Sequence, residues 1–506
     1  MNRRPRPPKR GHVVLLAVLA VVLGAVAFAC GSDDGTGPGA CEGASCDGGS
    51  ESSTTDGPGR DTSTTDGGGL DAGDAGDGDS SVPLSCGDGG APGSLDESFG
   101  DGGMVWLKYA GSQASGVAVQ SDGKIIVVGA TQAGFAVIRL LRTGALDTGF
   151  GTNGLVTTLI GNTGFYSAVA IQGDGKIVTT GGVQFNDNRS YDFAVARYLV
   201  DGGLDPSFGE AGVATAGFGP GPFQDDYPQS IVLQPDGRIL VGGYTETNGT
   251  TSTENFALAR YNADGSLDTT FATGGKVIVD VHGTPDAPGV VALAPGGKIV
   301  VAGGSAETTS VSARFDLSCV GLAANGTADP AFGDAGVLLT NFGHFVNSPV
   351  HSVALDQSGR ILLGGTVNDG VSPDDFLVAR LTPAGALDPT FGDAGVTAVD
   401  FDGRSDLGAT VLVQNDGRIL AVGTSGIGAQ STTYTLATFR LLPNGGLDST
   451  FGTGGKTLTP PPADAVIGSN GAALDVRGCG VITVGSWTYD ESTVAKPAIG
   501  IARFRR

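Results

Sequence analysis

From about residue 95 onward, short apolar runs rich in Val and Ile alternate with clusters of Gly, Asp, Asn and Ser. The first four runs are Val117-Ala118-Val119-Gln120, Ile125-Ile126-Val127-Val128-Gly129, Phe135-Ala136-Val137-Ile138-Arg139-Leu140 and Leu155-Val156-Thr157-Thr158-Leu159. Runs this short, dominated by β-branched side chains and bounded by turn residues, predict strands. Asp122-Gly123 between two of them predicts a hairpin closed by a type I′ turn.

The four-run unit then repeats. One marker, Leu-Asp-x-x-Phe-Gly-x-x-Gly, carries Asp96, Asp147, Asp205, Asp268, Asp329, Asp388 and Asp448, with Ala328 in place of Leu in one copy. Successive aspartates are 51, 58, 63, 61, 59 and 60 residues apart. The matching aromatics are Phe99, Phe150, Phe208, Phe271, Phe332, Phe391 and Phe451. A second marker recurs as Gln120-Ser121-Asp122-Gly123-Lys124-Ile125, with counterparts at Gln172, Gln234 and Gln414 and weaker ones at Gly297, Gly359 and Gly478. Repetition overrides the domain count that 506 residues would suggest, because a repeat array grows without starting a new core. Four antiparallel strands repeated seven times predict an all-β chain: a seven-bladed β-propeller. An open β-solenoid is the rival, but it calls for polar end caps that the sequence lacks.

These markers resemble the delta-60 repeat, a β-propeller family of bacterial surface proteins, over residues 95–504. The resemblance implies a fold and an exported location, and it brings no reaction and no catalytic residue. Small residues suit a crowded axis, so the Ser-Gly-Val-Ala-Val-Gln run at 115–120 and its counterparts at 167–172, 289–294 and 351–356 are assigned as inner strands. The bulkier Met104–Tyr109 run is assigned as an outer strand. The first outer strand then has no inner strands before it, and the unit at 470–504 has no outer strand after it. Their pairing would close the ring and remove its open edge.

Charge and composition divide the rest of the chain. Residues 1–29 read as a signal peptide: Arg3, Arg4, Arg6, Lys9 and Arg10 precede an apolar or small run from Val13 to Ala29. Ala27-Phe28-Ala29-Cys30 resembles a bacterial lipobox, which implies a lipid on Cys30. Residues 30–93 are rich in Gly, Asp, Ser and Thr, and positions 31–93 hold eleven Asp and two Glu against the single base Arg60. Such a segment cannot offset its own ordering entropy, so it is predicted to be a disordered acidic linker. Residues 94–506 are the propeller. The net charge of −23 argues against a nucleic-acid partner. Cys41 and Cys46 are candidates for a small disulfide loop in an exported chain, with Cys86, Cys319 and Cys479 unassigned.

Candidate chemistry is sparse. The repeated Asp, Phe and Gly, with an Arg at 139, 197, 260, 380, 440 and 503 (Gly321 in the remaining copy), read as structural, because every blade carries them. Asn262–Asp268 offers oxygens reminiscent of a calcium loop but reads as an ordinary turn. His282, His344 and His351 sit in no recognisable motif, and Asp280, His282, Asp400 and Asp402 would matter only if they converged. No cofactor is called for and no catalytic residue stands out. The two repeated turns fall on one face of the ring. The connections that vary, such as 183–192, 217–228, 244–255 and 460–470, fall on the other. That variable face carries Phe165, Tyr166, Phe223, Asp225, Asp226, Tyr227, Tyr244, Trp487 and Tyr489. Rigid scaffolds carry binding sites on such loops, so Tyr166, Tyr227, Tyr244, Trp487 and Tyr489 are the candidate contacts for a glycan or protein ligand. A propeller enzyme with a polar channel mouth and a purely structural envelope protein are the alternatives. The chain is expected to act as a monomer at the outer membrane or cell surface. Replacing Cys30 by Ser is expected to release the protein from the membrane fraction; retention there would mean that residues 13–29 form an uncleaved anchor.

Overall fold

The apolar runs pair into seven four-stranded antiparallel sheets among the described residues. The computed structural model describes residues 90–505 apart from short segments at 110–112, 132–133, 186–189, 220–223, 248–252, 309–314, 341–349, 369–372, 427–433, 460–464, 475–479 and 492–493. Residues 1–89, which hold Cys30 and most of the segment expected to be an acidic linker, lie outside the described residues. The first blade is β2 (Gln113–Val119), β3 (Ile125–Thr131), β4 (Gly134–Leu140) and β5 (Leu155–Thr158). The second is β6 (Thr163–Ile171), β7 (Ile177–Gln184), β8 (Tyr191–Tyr198) and β9 (Val213–Ala216). The third is β10 (Asp226–Leu233), β11 (Ile239–Thr247), β12 (Thr253–Tyr261) and β13 (Lys276–Val279). Blades four to six repeat the order from β14 (Asp286–Leu293), β18 (Val350–Leu355) and β22 (Asp406–Val413).

The small-residue strands are innermost: each touches its counterpart in the next blade, from β2 to β6, β6 to β10 and so on around the ring. The seventh blade joins the two ends of the propeller. β1 (Met104–Leu107) pairs antiparallel with β28 (Val494–Arg505), which continues through β27 (Gly480–Glu491) to β26 (Ala465–Leu474). Met104 lies opposite Ala502 and Leu107 opposite Ile499.

The core lies between blades, which explains why the second strands read as unbroken apolar runs. Along β11, Ile239 and Val241 pack toward blade two, whereas Leu240 packs toward blade four. A strand buried on both faces needs apolar side chains at both parities.

A clasp built from the two sequence markers fastens each blade to the next. In blade three, Asp268 Oδ1 accepts hydrogen bonds from the Thr270 amide and hydroxyl at 3.0 and 2.6 Å. Its Oδ2 faces Arg260 Nε at 2.8 Å and the hairpin base Arg238 at 3.0 Å. Arg260 stacks over Phe271, 4.5 Å from the ring centre, and donates to the Ala324 carbonyl of the following blade. Arg139, Arg197, Arg380 and Arg503 repeat the bridge to the next blade's turn, through Val200, Ala263, Pro443 and Arg142. Beside it, the amide after each marker Phe donates to a carbonyl of the next blade, as from Gly151 to Asp201 at 2.9 Å; at the ring closure Gly452 donates to Pro92 at 2.8 Å. In blade four Gly321 replaces the arginine. A side chain there would strike the Phe332 ring at 2.3 Å, and among the described bases it is Lys298 that pairs with Asp329, at 2.6 Å.

Two local details depart from simple strand pairing. The hairpin at Gln120–Lys124 is not type I′. Gly123 has φ +85° and Asp122 does not share a positive φ, so the loop is a type I turn followed by a left-handed Gly, with Asp122 accepting from the Lys124 amide. Every inner strand also carries a bulge, as between Tyr166 and Ala168 or Pro228 and Ser230. There the second strand presents Gly129, Gly181, Gly243, Gly303 or Gly423, where a Cβ would lie 1.8–2.1 Å from an inner-strand carbonyl oxygen. Their φ values are ordinary, so close approach is what requires glycine.

Urea unfolding of the full chain should separate these features. Asp268→Asn strips the buried charge between two bases and is expected to cost roughly 3 kcal/mol. Asp236→Asn, at an exposed hairpin carboxylate, should cost less than about 1 kcal/mol. Gly243→Ala should cost roughly 1–3 kcal/mol through the carbonyl overlap. Equal effects at 268 and 236 would contradict the clasp.

Candidate functional site

On the face opposite the clasps, the strands of blades two and three run further than those of blade one. β3 has seven residues, whereas β11 and β12 have nine each and add the pairs Thr245–Asn255, Glu246–Glu254 and Thr247–Thr253. Tyr244 therefore stands on a strand and not in a loop, directly opposite Tyr227 of β10.

This extension assembles four rings. Tyr227 and Tyr244 stack with centres 4.9 Å apart and planes inclined by 23°. Tyr227 also lies 6.2 Å from Phe165 and 6.0 Å from Tyr191, and Phe165 lies 5.5 Å from Tyr191. All four are half-buried. Phe165 lies across Gly182, where a Cβ would meet the ring at 2.6 Å. Counting back from the inner-strand ends, Phe165 and Tyr227 occupy one structural position, which carries Gln113, Ala287 and Leu407 in blades one, four and six.

Carboxylates border the rings. Asp225 accepts the Tyr191 amide at 2.9 Å and the Tyr227 hydroxyl at 3.4 Å, and its carbonyl accepts the Glu246 amide at 2.8 Å. Glu246 and Glu254 face each other across β11 and β12. Burial, followed by the charges of Asp225, Glu254 and Asp226, pushes the Glu246 carboxyl up to about 7. Burial raises Glu254 as well. Burial, then the Asp225 and Glu246 charges, pushes the Tyr227 hydroxyl upward.

Other candidates resolve differently. Tyr166 is 2% exposed and bonds the Tyr198 hydroxyl, while its ring packs 4.5 Å from Phe135. It is a core residue in this structure and not a surface contact; successive side chains on a strand take opposite faces, so Tyr166 turns toward Phe135 of blade one and Phe165 toward Tyr227 of blade three. Trp487 and Tyr489 stand on β27 opposite Ile467 and Ala465, and their side chains lie outside the described part. Phe223 and His344 lie outside it too. Asp226 is wholly buried, as are Asp286 and Asp406 at the same position in blades four and six. Each accepts the amide of a residue entering from the previous blade: Phe218, Val281 and Phe401. Burial raises all three carboxyls to about 6. They brace the variable face and do not line it.

Asp280 and Asp400 each accept an amide of their own turn, from Gly283 and Gly403. Asp400 joins Asp375 and Asp406, not Asp402, with one oxygen from each within 4.8 Å of the others. Those three carboxylates are the group that could share a cation among the described residues. In the Asn262–Asp268 turn, Asp264 is engaged by the Ser266 amide and hydroxyl at 2.9 and 2.7 Å. His351 sits in the bulge of β18, where burial pulls its imidazole down to about 4. Burial raises the Cys319 thiol, which is free.

Residues 120–150, 172–208, 234–271, 357–391 and 414–451 match a family model described as a domain of unknown function (DUF5122) beta-propeller. No curated protein matches the chain. Similar solved structures include a virginiamycin B lyase from Staphylococcus aureus, 11% identical over 79% of this chain and 98% of that one, with a TM-score of 0.41. A polysaccharide lyase of family PL25, an ulvan lyase, is 12% identical over 79% and 96%, with a TM-score of 0.45. The GH93 α-L-arabinofuranosidase of Fusarium graminearum is 9% identical over 67% and 98%, with a TM-score of 0.41.

Glu246 makes the rim sensitive to pH. Its carboxyl ordinarily titrates near 4.5 and in the fold near 7. Its contribution to stability is therefore full below about 4.5 and lost as pH rises through about 7. Glu246→Gln should raise the thermal midpoint at pH 8 and change it little at pH 5. An equal gain at both values would contradict the crowding of charge at this position.

Proposed function

We propose that this chain is a bacterial surface lipoprotein of the delta-60 repeat kind, tethered through Cys30 and the acidic linker, whose propeller binds a ligand on the face away from the clasps. One observation carries the reading: Phe165, Tyr191, Tyr227 and Tyr244 form a half-buried aromatic array at the rim of blades two and three. Rings that served only to pack blades together would be fully buried, as the marker residues Phe150, Phe208 and Phe271 are. Aromatic side chains supply large contact area for little ordering cost, which suits recognition. The scaffold beneath is held by hydrogen bonds and ion pairs from every blade, so the array is presented on a rigid base.

The test is binding of the full chain to a glycan array and to immobilised envelope fractions. Replacing Tyr191 and Tyr227 together by Ser should abolish any signal while the circular dichroism of the ring is kept. A signal that survives both substitutions would place the binding surface elsewhere.

A further inference from the structure

The aromatic array is bordered by negative charge that no described base offsets. Asp225, Glu246 and Glu254 are half-buried, and none pairs with a described lysine or arginine. Lys276, the described base that acts on Asp192 and Asp226, donates to the Gly217 carbonyl and lies over Phe218. Glu246 and Glu254 are directly opposed across two strands, an arrangement that costs stability for like charges. The hydrogen bond that the Glu246 amide donates to the Asp225 carbonyl holds a third carboxylate beside them. In the clasps every aspartate is answered by a base, so the deficit here is local to the rim.

We propose that this rim takes an organic cation, a protonated or quaternary amine, seated against Tyr191, Tyr227 and Tyr244 with Asp225, Glu246 and Glu254 around it. The negative face of an aromatic ring attracts cations, and the attraction grows as water is excluded. Partly desolvated carboxylates add to it in the same sense. A neutral sugar would stack on the rings and leave the three carboxylates crowded; an anion would be repelled. Burial first and the neighbouring charges second hold a proton on Glu246; a cation seated beside it favours the ionised form, so binding should draw that proton off. The inference rests on the rim being a binding surface and adds the chemistry of what binds.

Calorimetric titration of the full chain at low salt, with spermidine and tetramethylammonium as probes and maltotriose as a neutral comparison, tests it. Both amines should bind more tightly than maltotriose. The double substitution Glu246→Gln and Glu254→Gln should weaken them by at least about tenfold with the fold retained. Tyr227→Leu should weaken tetramethylammonium, which has no donor and depends on the rings. Equal amine binding by the glutamine variant would overturn the proposal, as would no amine binding at all. Arg189 belongs to the segment 186–189 outside the described residues; amine binding that emerges only in Arg189→Gln would show that the chain's own arginine fills the site, and would also overturn it. Maltotriose binding that depends on Tyr227, without amine binding, removes the cation and leaves the binding surface. If neither class binds and rim substitutions leave envelope binding intact, the binding surface itself is removed.

Discussion

The aspartate of the Leu-Asp-x-x-Phe-Gly turn is the group on which the ring depends. One carboxylate closes its own turn, faces an arginine on the third strand and faces the base of the hairpin beside it. That arginine covers the marker phenylalanine and reaches a carbonyl of the next blade. Burial alone would raise such a carboxyl. In Asp448 the hydroxyl and amide of Thr450, with Arg440, more than offset it and hold the group down to about 2. The contact is therefore a charged interaction across most of the accessible pH range, and it joins blades as well as strands. Blade four shows how far it can be thinned: with Gly321 for the arginine, the phenylalanine fills the gap and the hairpin lysine keeps the pair.

Repetition of this contact on one face frees the other. The clasps set the spacing of the blades, and the bulge with its facing glycine sets how closely the inner strands approach. What remains variable is how far each strand runs past the bulge and what it carries there. In blades two and three the strands run on, and the added positions bear rings and acids. Buried Asp226, Asp286 and Asp406 brace the start of three inner strands on the same face, each holding an amide of the segment that enters from the previous blade.

Much of the fold was legible because it is periodic. Strand number, the inner position of small-residue strands and the closure of β1 on the C-terminal unit all follow from counting copies and asking which strands lack a partner. The turn type was misjudged, since Asp-Gly serves either a type I′ turn or a type I turn with a left-handed Gly, and strand twist and bulging choose between them. The site was legible only in outline. Phe165 and Tyr166 are neighbours with similar side chains, and strand parity alone sends one to the rim and the other to a buried bond with Tyr198. Tyr191, Glu246 and Glu254 fell within the variable connections 183–192 and 244–255 but nothing singled them out there, because their importance lies in what stands across the strand from them.

The sequence by itself determined the seven-fold repeat, the four strands of each unit and the identity of the residues every blade shares, because those depend on local pattern and are stated many times. Only the tertiary structure decided which aromatic residues gather, which face the core and which carboxylates have no base beside them among the described residues. Those outcomes depend on the register between strands and the contact between blades, which no single repeat contains.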